Sequence, residues 1–140
     1  MRAIVRRAYG ETDVLRMEQL PDPEPGDGEV LVRVVAAGVN MAEWHLMSGR
    51  PTIARFAFGI PRPKDPRLGA DVAGVVEKVG PGVTRLAVGD EVFGSALGAW
   101  AELAVAKERM LRPKPARLSF EEAAAVPMAG YTALQAVRLV

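Results

Sequence analysis

The sequence predicts a mainly β fold with short helices, arranged as a small barrel or sandwich. Three observations carry this expectation. Short β-branched runs recur over the first two thirds of the chain, Gly- and Pro-rich turns separate them, and helical patterning is confined to one segment near residue 40 and to the last third. A length of 140 residues suits one domain that buries its own core.

The elements follow in order. "AIVRRAY" is a short strand, and "VLRMEQL" alternates loosely before the connector "PDPEPGDGE". The clearest strand is "EVLVRVVAAGV", where Val30, Val32 and Val34 share one face. "NMAEWHLMSG" breaks the β pattern; Asn40 can cap a short helix and Gly49 can end it. Residues 50–67, with four prolines and five basic side chains, read as an irregular loop. "DVAGVVEKVG" is a further strand, and Gly74 in its middle marks a bulge or a close backbone approach. The turn "GPG" follows, then short strands in "GDEVFG" and "WAELAVAKERML".

The last third changes character. "SFEE" is a capping box in which the Ser119 hydroxyl accepts from the Glu122 amide and Glu122 reaches back. The helix "EEAAAV" is expected to stop at Pro127. A second helical pattern, "MAGYTALQAVRLV", runs to the last residue, apolar nearly all round and without a C-terminal cap. Such a helix normally packs on both sides, so the sequence reads as part of a larger protein.

Composition excludes several function classes. Without cysteine there are no disulfides, thiolate metal sites or cysteine nucleophiles. A formal net charge of +1 gives no bulk bias toward nucleic acid or anionic membrane. The N-terminus has only three apolar residues between its first charges, unlike a signal peptide, and no run approaches the roughly 18–20 apolar residues of a membrane span. The chain reads as soluble and is expected in the cytoplasm. Phe56 and Phe58 lie among the basic residues Arg50, Arg55, Arg62, Lys64 and Arg67, an interleaving that suits single-stranded nucleic acid. The near-zero charge favours a solvated loop instead, so nucleic-acid and membrane partners are not expected. A negatively charged cofactor is a further use for such a loop.

One histidine and no cysteine cannot build a usual closed zinc site, and the acids are scattered. "GDG" at 26–28 and "GPG" at 80–82 lack the third glycine of a dinucleotide turn and open no helix. No P-loop or G-x-S-x-G is present. His45, the single histidine, stands beside Trp44, and on the residues alone both read as structural.

"LGADVAGVVEKVGPGVTRLAVGDEVFG", residues 68–94, resembles the glycine-rich signature of the medium-chain dehydrogenase/reductase superfamily. Gly69, Gly74 and Gly80 carry its spacing, and Gly89 and Asp90 open "GD-x-V". The flanking segments "EVLVRVVAAGVN" and "SFEEAAAVPMAGYTALQAV" extend the resemblance over nearly the whole chain, closest to the zinc-free quinone oxidoreductases. It implies a GroES-like β-barrel domain over residues 1–126 that carries substrate and catalytic groups. Residues 127–140 would begin a linker helix to a missing C-terminal Rossmann domain.

The resemblance also implies chemistry. The parent enzyme would pass hydride from NADPH, with NADH as the alternative, to a quinone, enone or carbonyl; the chain alone would bind no cofactor and be inactive. The substrate is then a small electrophilic acceptor. The chain alone is expected to be monomeric and the full-length protein a homodimer. At the positions of the family's catalytic zinc ligands stand Asn40, Ala70 and Met128, so no metal is expected. Asn40 matches a substrate or nicotinamide contact, and helix capping is its bare reading. His45 falls where relatives carry a proton-relay histidine or a tyrosine, which makes it a candidate catalytic and cofactor-facing group. Thr132 resembles a threonine near the nicotinamide, or is simply a helix residue at a domain seam. Trp44, Phe56, Phe58 and Ile60 are candidates for the substrate pocket. Asp71 joins the glycines and Asp90 as structural, holding the pocket backbone. The alternative function is a stand-alone GroES-like binding or assembly module.

Overall fold

A computed structural model describes residues 1–139. Two antiparallel sheets form the body. Strands β1 (Arg2–Arg6) and β2 (Leu15–Gln19) pair as a two-stranded sheet, with Arg2 opposite Gln19. The larger sheet has the order β6-β3-β4-β5-β7, built from β3 (Glu29–Ala37), β4 (Asp71–Val79), β5 (Glu91–Ser95), β6 (Leu103–Lys107) and β7 (Leu111–Pro113). The ladders do not close into a continuous barrel. Isolated bridges Ala3–Ala101 and Val5–Arg67 tie β1 to the rest, and Leu97–Val105 adds another.

Period-two burial explains the sheet. Val30 and Val32 from β3 meet Val72 and Val76 from β4, Val92 from β5 and Leu111 from β7 in one core. Each such side chain contributes about 1.5–3 kcal/mol when fully buried. Leu31 is buried too, so β3 is covered on both faces near its start. The β3–β4 register then slips twice: Glu77 is skipped between Lys78 and Val76, and Val35 between Val34 and Ala36. Gly74 sits opposite Val34 beside the second slip, and a Cβ there would collide with the Arg33 carbonyl.

Helix α1 (Met41–Ser48) starts at Asn40 and ends at Gly49, whose φ of 65° is left-handed. Gly49 is also pressed against the Tyr9 ring, so a side chain has no room there. The sequence reading of 50–67 as irregular needs correction. A single 3-10 turn at Thr52–Ala54 runs directly into α2 (Arg55–Phe58), because Pro51 and Pro61 bracket nine residues free of proline.

Helix α3 (Phe120–Ala124) opens on the expected capping box: Glu122 N–H donates to Ser119 Oγ at 3.1 Å and Ser119 N–H donates to Glu122 Oε2 at 2.9 Å. Ala123 and Ala124 pack on Ala73 of β4. The helix ends at Ala124, before Pro127 as expected, and Pro127 itself takes the first turn of α4 (Pro127–Arg138), where a missing N–H costs nothing. Val140, the end of the sequence pattern, lies outside the described residues. No helix among the described residues is long and apolar enough to cross a membrane.

Candidate active-site cleft

The body leaves a cleft of about 380 Å³ between α1, the 55–69 segment, the residues leading into β4, and the start of α4. Leu46, Phe58, Leu68, Leu97, Ala70 and Met128 give it an apolar wall. Arg6, Glu43, Lys64, Asp65 and Arg67 bring charge to the same wall.

Asp71, 1% exposed, organises one end. Its Oδ2 accepts from Asn40 Nδ2 at 3.2 Å and from the Met128 N–H at 3.0 Å. One carboxylate therefore joins the start of α1 to the first turn of α4, where the helix dipole favours negative charge. Its other oxygen is buried with no partner among the described residues. Ala70 precedes it directly, so the three positions that the resemblance aligns with zinc ligands do converge. They offer an amide, a methyl and a thioether. Among the described residues no three His, Cys, Asp or Glu side chains gather as a metal-binding group.

Asn40 is the N-cap of α1, and its N–H donates to Glu43 Oε2 at 2.8 Å. It faces a neighbouring groove with Gly38, Ala124 and Ala129 rather than the main cleft. One Nδ2 proton goes to Asp71; the second has no partner among the described residues. His45 is exposed and does not line the cleft. Its Nδ1 lies 2.9 Å from the Arg50 carbonyl. A carbonyl only accepts, so Nδ1 carries the proton and Nε2 of the neutral ring is an acceptor. Trp44 meets the His45 ring edge-on, with centroids 5.0 Å apart.

The other sequence candidates scatter. Phe58 lines the cleft, whereas Phe56, at 77% exposed, and Ile60, at 58%, point away from it. Thr132 Oγ1 donates to the Met128 carbonyl at 2.7 Å, back along its own helix. Gly69 lines the cleft against Trp100, whose Nε1 donates to the Gly38 carbonyl at 2.9 Å. Gly80 lies against Gly26 where two turns touch. Gly89 and Asp90 close the turn into β5, with Asp90 Oδ2 accepting from the Ala87 N–H at 2.9 Å.

The basic loop is not simply solvated. Arg55 Nε donates to the Gly49 carbonyl at 3.0 Å, and its guanidinium lies 4.5 Å from the Tyr9 ring centroid. Arg67 pairs with Asp65 at 2.8 Å, and its guanidinium holds the Asp65 carboxyl below the usual carboxylate range. Sequence reasoning missed Arg6, Tyr9 and Glu43. Of these only Glu43 left a signal: Asn40-x-x-Glu43 has the spacing of a capping box.

The comparisons with known proteins follow this geometry. The family model described as "Alcohol dehydrogenase GroES-like domain" matches residues 26–116. The chain is 38% identical to the spinach (Spinacia oleracea) protein named "Quinone-oxidoreductase homolog, chloroplastic", over 98% of this chain and 42% of that protein. It superposes on the quinone oxidoreductase from Coxiella burnetii with a TM-score of 0.88 at 31% identity, covering 99% of this chain and 44% of that one. For the Escherichia coli quinone oxidoreductase complexed with NADPH the TM-score is 0.83 at 29% identity, covering 99% and 40%. The chain thus spans about two fifths of the length of these relatives. It belongs to the alcohol dehydrogenase GroES-like domain family, as the N-terminal domain of the medium-chain dehydrogenase/reductase superfamily.

Proposed function

We propose that this chain forms the acceptor side of a zinc-independent, NADPH-dependent reductase that passes hydride to a quinone, an enone or a carbonyl. The observation that carries the reading is the set of side chains around Asp71, between the cleft and the groove that Asn40 faces. Asn40, Ala70 and Met128 converge around Asp71, and none supplies the thiolate or imidazole that a catalytic zinc requires. An acceptor that is already electrophilic has less need of a Lewis acid.

A nicotinamide, when bound, supplies the hydride. The residues of this chain do the rest. As hydride adds to the acceptor carbon, negative charge grows on its oxygen. The second Nδ2 proton of Asn40 has no partner among the described residues, and it suits that charge. Asp71 fixes the amide plane, so the donor is oriented before the acceptor arrives. Thr132 spends its hydroxyl proton on Met128 and keeps lone pairs, which suit a carboxamide N–H. His45 can give a proton only as the imidazolium, from Nε2, because Nδ1–H is held by Arg50. The apolar wall of Phe58, Leu46 and Leu68 takes the body of the acceptor.

In this reading residues 127–140 lead into a nucleotide-binding domain, and the full-length protein is a cytoplasmic homodimer. The test is NADPH oxidation in the presence of menadione. The full-length protein carrying this domain is expected to consume NADPH catalytically, and the 140-residue chain alone is not. Turnover by the chain alone, or by neither, contradicts the reading.

A further inference from the structure

Two buried charges of the cleft have no part in the hydride chemistry above. Arg6, at the end of β1, is 3% exposed. Its Nε donates to the Leu46 carbonyl at 2.9 Å and its Nη1 to the Asp65 carbonyl at 2.8 Å, and its guanidinium lies 5.8 Å from the Tyr9 ring centroid. Both acceptors are neutral. The Asp65 carboxylate is engaged by Arg67, and Arg6 forms no ion pair among the described residues. Two of five guanidinium protons are used, and Nη2 makes no hydrogen bond to the described residues. Burial is the larger influence on the guanidinium and holds the Arg6 pKa below its ordinary value, although the nearby Asp65 charge acts in the opposite direction. A merely structural clamp between β1, α1 and the loop would not need this charge.

The remaining charges on the wall balance, Lys64 and Arg67 against Glu43 and Asp65, so Arg6 leaves the wall net positive. Lys64 is exposed on the same cleft and makes no ion pair among the described residues. Glu43 is the acid on this wall that forms no ion pair among the described residues. It sits in the first turn of α1, where Oε2 accepts the Asn40 N–H and the helix dipole offsets its charge. Its Oε1 is buried without a partner among the described residues, which leaves it able to accept from a hydroxyl on the same ligand. Between these polar ends lie Phe58, Leu46 and Leu68.

We propose that the cleft takes an acceptor bearing a carboxylate, whose charge is met by the Arg6 guanidinium while its ring or chain lies on Phe58 and Leu46. The proposal rests on the reductase reading only in calling the ligand an acceptor. A carboxylate matches the guanidinium fork through the uncommitted protons and brings the charge that a neutral amide lacks.

The test is amide NMR of the chain titrated with benzoate and with its uncharged isostere benzamide. Benzoate is expected to shift Leu46, Phe58, Leu68 and Gly98 and to bind at least about tenfold more tightly than benzamide. Arg6→Gln should abolish that preference, and Arg6→Lys, which keeps the charge without the fork, should retain part of it. The side-chain nitrogen resonances of Arg6 give a second readout that needs no variant; they should shift with benzoate and not with benzamide. Equal binding of the two probes, a preference that survives Arg6→Gln, or unmoved Arg6 resonances overturns the proposal. No cofactor or turnover enters, so failure here leaves the reductase reading intact, and failure of NADPH oxidation leaves this result intact.

Discussion

Asn40 and Asp71 are separated by 31 residues in sequence and joined by a 3.2 Å hydrogen bond from amide to carboxylate. The same Asp71 oxygen takes the Met128 N–H, so one buried acid sets the geometry of α1, β4 and α4 together. Hydrogen bonds to a charged acceptor contribute about 1.5–3 kcal/mol each. Asp71→Ala is therefore expected to lose about 3 kcal/mol in urea unfolding. Asp71→Asn should lose about 1 kcal/mol, because its oxygen can keep both contacts. A double-mutant cycle between Asn40→Ala and Asp71→Ala should give a coupling of about 1 kcal/mol; additivity would show that the contact contributes nothing.

Gly74 and Gly28 separate crowding from backbone preference. A Cβ at Gly74 meets the Arg33 carbonyl across the β3–β4 ladder. Gly28 has a φ of 66° but no atom within 4 Å of where a Cβ would stand. Gly74→Ala is expected to cost about 3 kcal/mol and Gly28→Ala about 1 kcal/mol, measured by chemical unfolding. Equal costs would mean that the two strands are not held as closely as described.

Stability should carry an acid-side signature from Asp65. The Arg67 guanidinium favours its charged form in the fold, so its folded pKa lies below the unfolded one. The unfolded chain then takes up the proton first as pH falls. The contribution is present above the unfolded pKa, at about 4, and is lost as pH drops through the lower folded value. Both side chains are partly exposed, so the effect is modest and weakens with salt. Asp65→Asn should be less stable than wild type at neutral pH, with the gap closing well below about pH 4. A gap that widens on acidification would contradict this sign.

Most of the fold was legible because local chemistry and fold agree. Val30 and Val32 alternate into the core, Ser119 and Glu122 form their reciprocal cap, and Gly49 ends α1 in the left-handed region. The misreadings have physical causes. Flanking prolines hid α2, since Pro51 and Pro61 disrupt only their own neighbourhoods. The slip at Val35 shifts the facing of β3, and its mark in the sequence lies on the partner strand, at Gly74, not on β3 itself. The site was less legible. Helix α1 buries Glu43, Met47 and Ser48 together, a face of mixed polarity that no apolar stripe reveals. Arg6 occupies a charged position on a short strand, and only tertiary packing buries it. Phe56 and Ile60 look like pocket residues by type, yet the backbone turns them outward.

Asn40 and His45 should separate in kinetics of the full-length protein. Asn40→Ala removes the oriented donor and should lower kcat about 10–100-fold with menadione while leaving the binding of NADPH nearly unchanged. His45→Gln removes a group that can donate only as the imidazolium. The loss should fall on kcat with menadione and leave KM unchanged. A change in stability without a change in kcat would assign His45 to holding the Arg50 carbonyl instead.

The central claim is that the cleft between α1, the 55–69 segment and the start of β4 receives the acceptor. It is tested most directly by titrating menadione into the chain and following its backbone amide resonances. Shifts are expected to concentrate at Ala42, Leu46, Phe58 and Ala70, which line that cleft. Shifts confined to the exposed face of α4 around Leu134 and Val137, or no shifts at all, would contradict it.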